Sequence, residues 1–213
     1  DEHLAVAERA ARESAVLLKN EGSALPLDPS RLGRIAVVGA LADEINIGDT
    51  GSSTVRPSFV VTPLRGIEEA LGDAVVVDYI GKDTLDSNDL EVVASADAVI
   101  IVVGLTSEDE GEGLIGAGDR VDLDLKQELE QLIVDASAAN ERAVVVLEGG
   151  GAITMQDWAE DPEAILMVWY PGQMGGHAIA DLLFGAATPS GKLPLQQKQP
   201  RKKACRRFAV SLA

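Results

Sequence analysis

Five short runs of branched apolar residues dominate this chain: RIAVVGA (34–40), AVVVDYI (74–80), DAVIIVVGL (97–105), RAVVVLEGG (142–150) and AILMVWYP (164–171). None alternates in polarity, so each strand they predict is buried on both faces, as in a sheet covered by helices on two sides. Helical patterns fall between or after most of them: TPLRGIEEALG, SNDLEVVASA, DLKQELEQLIVDASAAN and QMGGHAIADLLFG. Strand and helix alternating in this order predicts right-handed crossovers and a three-layer α/β/α sandwich, its sheet mostly parallel with five or six strands. A further amphipathic helix is expected over residues 4–19, with Leu4, Ala7, Ala11, Ala15 and Leu18 on one stripe, stopped at Asn20-Glu21-Gly22.

Composition narrows the function classes. Aromatic residues make up 3% of the 213 residues, which suits a Val/Ile/Leu/Ala core and argues against an autonomous sugar-binding module built on exposed rings. The formal net charge of −17 opposes association with nucleic acid or an anionic membrane. Lys198, Arg201, Lys202, Lys203, Arg206 and Arg207 crowd the last 18 positions without an acid among them. We therefore divide the chain into a folded domain, 1–195, and a basic tail, 196–213, expected to be disordered or aberrant. Cys205 is the single cysteine, so no intramolecular disulfide or thiolate metal cluster is expected. No apolar run reaches the ~18 residues of a membrane span, and DEHLAVAERA is not a signal peptide. The expectation is a soluble protein, cytoplasmic or exported as part of a longer precursor.

In parallel sheets ligands collect beyond the carboxyl ends of the strands, and the unusual residues lie there. Residues 106–124 hold Glu108, Asp109, Glu110, Glu112, Asp119, Asp122 and Asp124 against one cation, Arg120. Such crowding raises some carboxyl pKa values, which a general acid near neutral pH requires; a solvated acidic loop is the plainer reading. Glycines 111, 113, 116 and 118 let the backbone approach a ligand. A calcium loop fits poorly, because its long and short carboxylates are reversed and a strand precedes it. RIAVVGA lacks the later glycines of a dinucleotide fingerprint, and GAATPSGKL has the wrong spacing for a P-loop. His3 and His177 have no metal-ligand spacing. No metal and no cofactor are expected.

Several stretches, in order, resemble the C-terminal domain of family 3 glycoside hydrolases: ESAVLLKNEGSALPL, RIAVVG, GDTGSS with VTPLRGIEEALG, EGEG followed by GDRVDLDL, AVVVLEGGGAITMQDW, and AILMVWYPGQMGGHAIADLLFG with PSGKLPL. The resemblance covers residues 4–195. It implies part of a retaining β-glycosidase of the β-glucosidase type, acting on a β-linked glucoside or oligosaccharide, with the active site between this sandwich and a (β/α)8 barrel in the same or another chain. The nucleophile, an aspartate, belongs to that barrel, so the isolated chain is expected to be inactive or nearly so. The acid/base glutamate of the family's Gly-Glu-Gly loop corresponds to Glu112, with Glu110 second and Glu108 third. Asp119 and Arg120 match an element that anchors the loop, and Asp49, Ser52, Ser53 and Arg56 match the segment bordering the cleft. Trp158, Trp169 and Tyr170 are expected in core or interface, and Gly172, Gln173, Gly175 and Gly176 in a tight turn. The alternative is a non-catalytic sugar-binding or scaffolding α/β domain that has kept the fold.

Overall fold

The structure is a computed structural model that describes residues 2–48, 54–110, 120 and 122–194. Six strands, β1 (Val16–Asn20), β2 (Arg34–Val38), β3 (Val76–Ile80), β4 (Ala98–Gly104), β5 (Ala143–Glu148) and β6 (Ala164–Trp169), form one sheet in the order β1-β6-β5-β4-β2-β3. Four of the five pairings are parallel, and β1 runs antiparallel to β6 at one edge. The runs at 34–40, 74–80, 97–105, 142–150 and 164–171 each contain one of the parallel strands, so the three-layer, mostly parallel sandwich is what the chain forms.

Helices α2 (Pro63–Leu71) and α6 (Gly175–Leu183) cover one face, and α3 (Ser87–Ser95) and α5 (Gln127–Ala139) the other. The sheet divides its side chains accordingly. Ile35, Val37, Ile100, Val102, Val144 and Val146 meet Leu64, Ile67, Ile179 and Leu183, while Val38, Val99, Ile101, Val103, Val145 and Leu147 meet Val93, Leu132 and Ile133. With period-two side chains all apolar, β4 has no solvent face, and all seven of its residues are buried.

Local signals start the helices. Thr62 accepts from the Arg65 amide with Pro63 next in line, and Asp86 and Asp89 form a reciprocal capping box for α3. Helices α2 and α6 approach so closely that a Cβ on Gly66 would sit 2.0 Å from the Gly176 carbonyl oxygen. Only a glycine pair permits that contact.

The amino-terminal helix is shorter than its stripe predicts. Helix α1 (Glu2–Ser14) packs on α6, with Arg12 paired to Asp181. Residues 16–20 then become β1, Val16 opposite Met167 and Asn20 opposite Ala164. The unpaired edge of β6 offers VLLKN a ladder of backbone hydrogen bonds, and this tertiary gain overrides a helical pattern that Ala15 and Leu18 continue by coincidence.

Candidate active site at the carboxyl edge of the sheet

The chain leaves β2 toward β3 on one side and later returns to β4 on the other, so the loops after β2 and β4 diverge. This is the switch point of an open α/β sheet. A cleft of about 480 Å3 opens there, lined among others by Glu44, Asp83, Glu108, Asp109 and Lys126. Glu108 is exposed within it.

The acidic loop leaves β4 through a one-turn helix, α4 (Ser107–Glu110). Thr106 and Asp109 cap it: the Thr106 amide donates to Asp109 Oδ2 at 2.9 Å, and the Glu108 amide to Thr106 Oγ1 at 3.2 Å. Burial pushes the Asp109 carboxyl up, but the Lys126 ammonium, 2.9 Å away, and the Thr106 donors outweigh it and leave the pKa lowered. Asp109 therefore stays ionised and paired.

One residue on, Glu110 is turned into its own domain. It accepts from the Gly150 amide at 2.6 Å and from the Tyr170 hydroxyl at 2.7 Å, and Arg120 lies 3.7 Å from its second oxygen. Arg120 in turn donates to the Ala152 carbonyl at 2.6 Å. The returning limb continues this attachment: the Thr154 amide donates to Leu123 O at 2.8 Å, and the Thr154 hydroxyl bonds Asp124. Both limbs of the acidic loop are thus held against residues 150–154.

Tyr170 reaches Glu110 because the end of β6 is irregular. The β5–β6 register shifts after Leu147, where Glu148 pairs with Trp169, and Trp169 has φ 59°. A left-handed conformation is costly for a bulky residue, by ~1–3 kcal/mol, and here it redirects the chain so that the next side chain faces the loop. The Trp169 indole donates to Ser14 O at 3.0 Å, fixing the bend. Trp158 is buried at 1% exposure.

Two polar residues that sequence reading did not single out lie beneath these loops. Glu148, the last residue of β5, is 1% exposed. Burial pushes its carboxyl up to about 8, against the weaker lowering effect of a hydrogen bond from Asn46. Asn46, on the loop after β2, donates through Nδ2 to Glu148 Oε2 at 2.8 Å and to Leu105 O at 3.0 Å. A Cβ on Gly104 would sit 2.1 Å from the Glu148 carbonyl oxygen, so β4 and β5 pack here without intervening side chain.

Of the residues singled out from sequence, Arg56 is exposed on the loop after β2. Glu112, Asp119, Asp49, Ser52 and Ser53, and the 196–213 tail, lie outside the described residues. Tyr170 was expected in core or interface, with sugar stacking as the lesser reading; its partner, Glu110, is 60 residues away, and no local pattern reports that contact.

A sequence profile for the glycosyl hydrolase family 3 C-terminal domain matches residues 15–209. The chain belongs to this family. It is 37% identical over 206 residues to an exo-α-(1→6)-L-arabinopyranosidase of Bifidobacterium breve, covering 91% of this chain and 27% of that protein. It is 33% identical over 202 residues to the thermostable β-glucosidase B of Acetivibrio thermocellus, covering 91% of this chain and 26% of that enzyme. Among solved structures, the family 3 β-glucosidase of Bifidobacterium adolescentis superposes with a TM-score of 0.77 at 32% identity, over 89% of this chain and 28% of that one. The family 3 domain described here thus spans about a quarter of the length of its relatives. Among the described residues, no helix is long and apolar enough to cross a membrane.

Proposed function

We propose that this family 3 domain supplies the acid/base glutamate, Glu112, of a retaining β-glycosidase whose nucleophile resides on a (β/α)8 barrel. The observation that carries the proposal is the double attachment of the acidic loop. Its outgoing limb ends at Glu110 and its returning limb starts at Arg120, and these two side chains are 3.7 Å apart. Glu110 spends its carboxylate on Gly150, Tyr170 and Arg120, and Glu108 faces the switch-point cleft. The choice of Glu112 follows the family's Gly-Glu-Gly loop, which this stretch resembles, and is supported by the engagement of Glu110 elsewhere.

In the mechanism that follows, a carboxylate of the barrel attacks the anomeric carbon while Glu112 gives its proton to the departing glycosidic oxygen. Glu112 then takes a proton from the water that releases the sugar. The two carboxyl groups must come within about 5–5.5 Å of each other. The loops at the same edge expose Ile45 and Val55, each 68% accessible, together with Phe59 and Leu123. Apolar groups at that density suit a face covered by the barrel. By resemblance to the family, Arg56 and the segment with Asp49, Ser52 and Ser53 are assigned to the border of the catalytic cleft against the barrel, and Asp119 with Arg120 to anchoring the loop. Residues 1–195 are assigned to the domain and 196–213 to a tail, although the family match extends to residue 209. The substrate is a β-linked glucoside or oligosaccharide.

The test is azide rescue. With the domain joined to a family 3 barrel, Glu112→Gln should lower hydrolysis of an unactivated β-glucoside about 10²–10⁴-fold. Added azide, which needs no base, should restore turnover of an activated aryl glycoside and release the β-glycosyl azide. An unchanged rate in Glu112→Gln overturns the proposal and favours a scaffolding domain.

A further inference from the structure

Glu148 and Asn46 are unused by the mechanism above, yet they occupy the centre of the edge that performs it. Glu148 is fully buried, and its Oε1 has no hydrogen-bond partner among the described residues. Its Oε2 accepts from Asn46, whose second amide hydrogen goes to Leu105 O. One side-chain amide therefore joins three strands' ends: the loop after β2 that carries Asn46, the last residue of β5, and Leu105, just past β4, where the acidic loop departs.

A buried carboxylate held by a single neutral donor is costly, whereas the neutral acid is not. The charged groups at this edge are engaged elsewhere: Glu110 with Gly150, Tyr170 and Arg120, Arg120 with Ala152, Asp109 with Lys126, Asp43 with Thr62, Asp83 with the Ala40 amide. Glu44 and Glu108 line the cleft, and Glu108 is exposed. No cation among them bonds Glu148, and ionisation would bring a negative charge into a dry site beneath both loops.

We propose that Glu148 is a positioning residue, which in its neutral form clasps Asn46 and so fixes the loop after β2 against the root of the acidic loop, and whose ionisation opens that edge to water, because burying the charge costs more than the strengthened bond from Asn46 returns. The functional half of this rests on the acid/base reading of the loop; the structural half does not. Raising the pH from the ordinary carboxyl range toward the Glu148 value of about 8 progressively loosens residues 40–48 and 104–106 without unfolding the sheet, and the loosening levels off above it.

The experiment has two arms. In the first, amide hydrogen exchange is measured on the whole chain from pH 6 to 9 and expressed as protection factors, which remove the intrinsic pH dependence. The Leu105 amide, bonded to Glu148 O at 3.0 Å, and the Glu44 amide, bonded to Leu41 O at 3.4 Å, are the reporters. Wild type should lose at least about fivefold in protection between pH 6 and 8 and level off above that, the equivalent of one hydrogen bond or more. Glu148→Gln, which keeps the acceptor and cannot ionise, should stay protected throughout. Asn46→Ala should be unprotected at every pH. Equal protection in all three proteins over the whole range overturns the proposal. In the second arm, with the domain joined to a barrel, Glu148→Gln should move the alkaline limb of kcat upward in pH with KM unchanged. Asn46→Ala should lower kcat at all pH values. Loops that loosen while both kcat profiles stay fixed also overturn it. A joined wild-type enzyme without activity would count against the acid/base reading, leaving the exchange arm to decide the clasp.

Discussion

The middle of the sheet and its carboxyl rim obey different rules. Strands β4 and β5 are buried at every position and are apolar except at Glu148, so their stability comes from area removed from water, which is non-directional. At and just beyond the carboxyl ends of β4, β5 and β6, the chain carries a left-handed Trp169, an Asp109–Lys126 ion pair, an inward-facing Glu110 and a buried Glu148. Each of these is costly by itself and tolerable only with its partner. The lesson is that this domain is held at its centre by burial and at this edge by directional pairs, which keep the loops in place.

That contrast can be broken from the core side first. Ile101 is fully buried at the centre of β4, and Ile101→Ala should cost about 2–5 kcal/mol in denaturant unfolding, with little change in the arrangement of the rim. A loss below 1 kcal/mol, on the order of a surface change, would mean that the sheet centre is not where stability resides.

The next effect has the opposite sign and depends on pH. Glu148 is raised from 4.5 to about 8 in the folded state, so between these values the native protein holds a proton that the unfolded chain has released. Wild-type stability therefore falls as pH rises through that window and levels off above it, with a slope approaching about 1.4 kcal/mol per pH unit. Glu148→Gln should remove the slope and be more stable than wild type at pH 8, while matching it near pH 4.5. Parallel stability curves for the two proteins would show that the carboxyl titrates normally.

A smaller change separates the rim from the core. Tyr170→Phe deletes the hydroxyl that donates to Glu110 and should cost about 1 kcal/mol or less in global stability. Protease cleavage between residues 110 and 120 should nevertheless rise, because one of the two loop attachments has weakened. A large global loss without faster cleavage would reverse the comparison, placing Tyr170 with the core.

The same division explains what could be read from the sequence. Strands β2 to β6 and helices α2, α3, α5 and α6 follow from local periodicity, because burial on both faces writes itself into consecutive residues. Strand β1 does not, since Val16 and Leu17 become a strand only by meeting Met167 and Leu166, some 150 residues away. At the rim, residues 106–124 read from sequence as one acidic loop, and the Thr106–Asp109 cap emerges only from the structure. The bonds of Glu110 to Gly150 and Tyr170, of Arg120 to Ala152, and of Asn46 to Glu148 span 32 to 102 residues, and no local pattern encodes them. The glutamate inside VVVLEGG carried one faint signal, an acid at the end of an otherwise apolar strand.

The central claim is that Glu110 serves the loop and Glu112 serves the substrate. It is tested most directly by leaving-group dependence. In the barrel-joined enzyme, aryl β-glucosides of graded phenol acidity should give a steep fall in rate with rising leaving-group pKa for Glu112→Gln. The dependence should stay shallow for Glu110→Gln, because its proton donor is intact even where its loop is looser. The steep dependence appearing in Glu110→Gln, with Glu112→Gln behaving as wild type, would contradict the account.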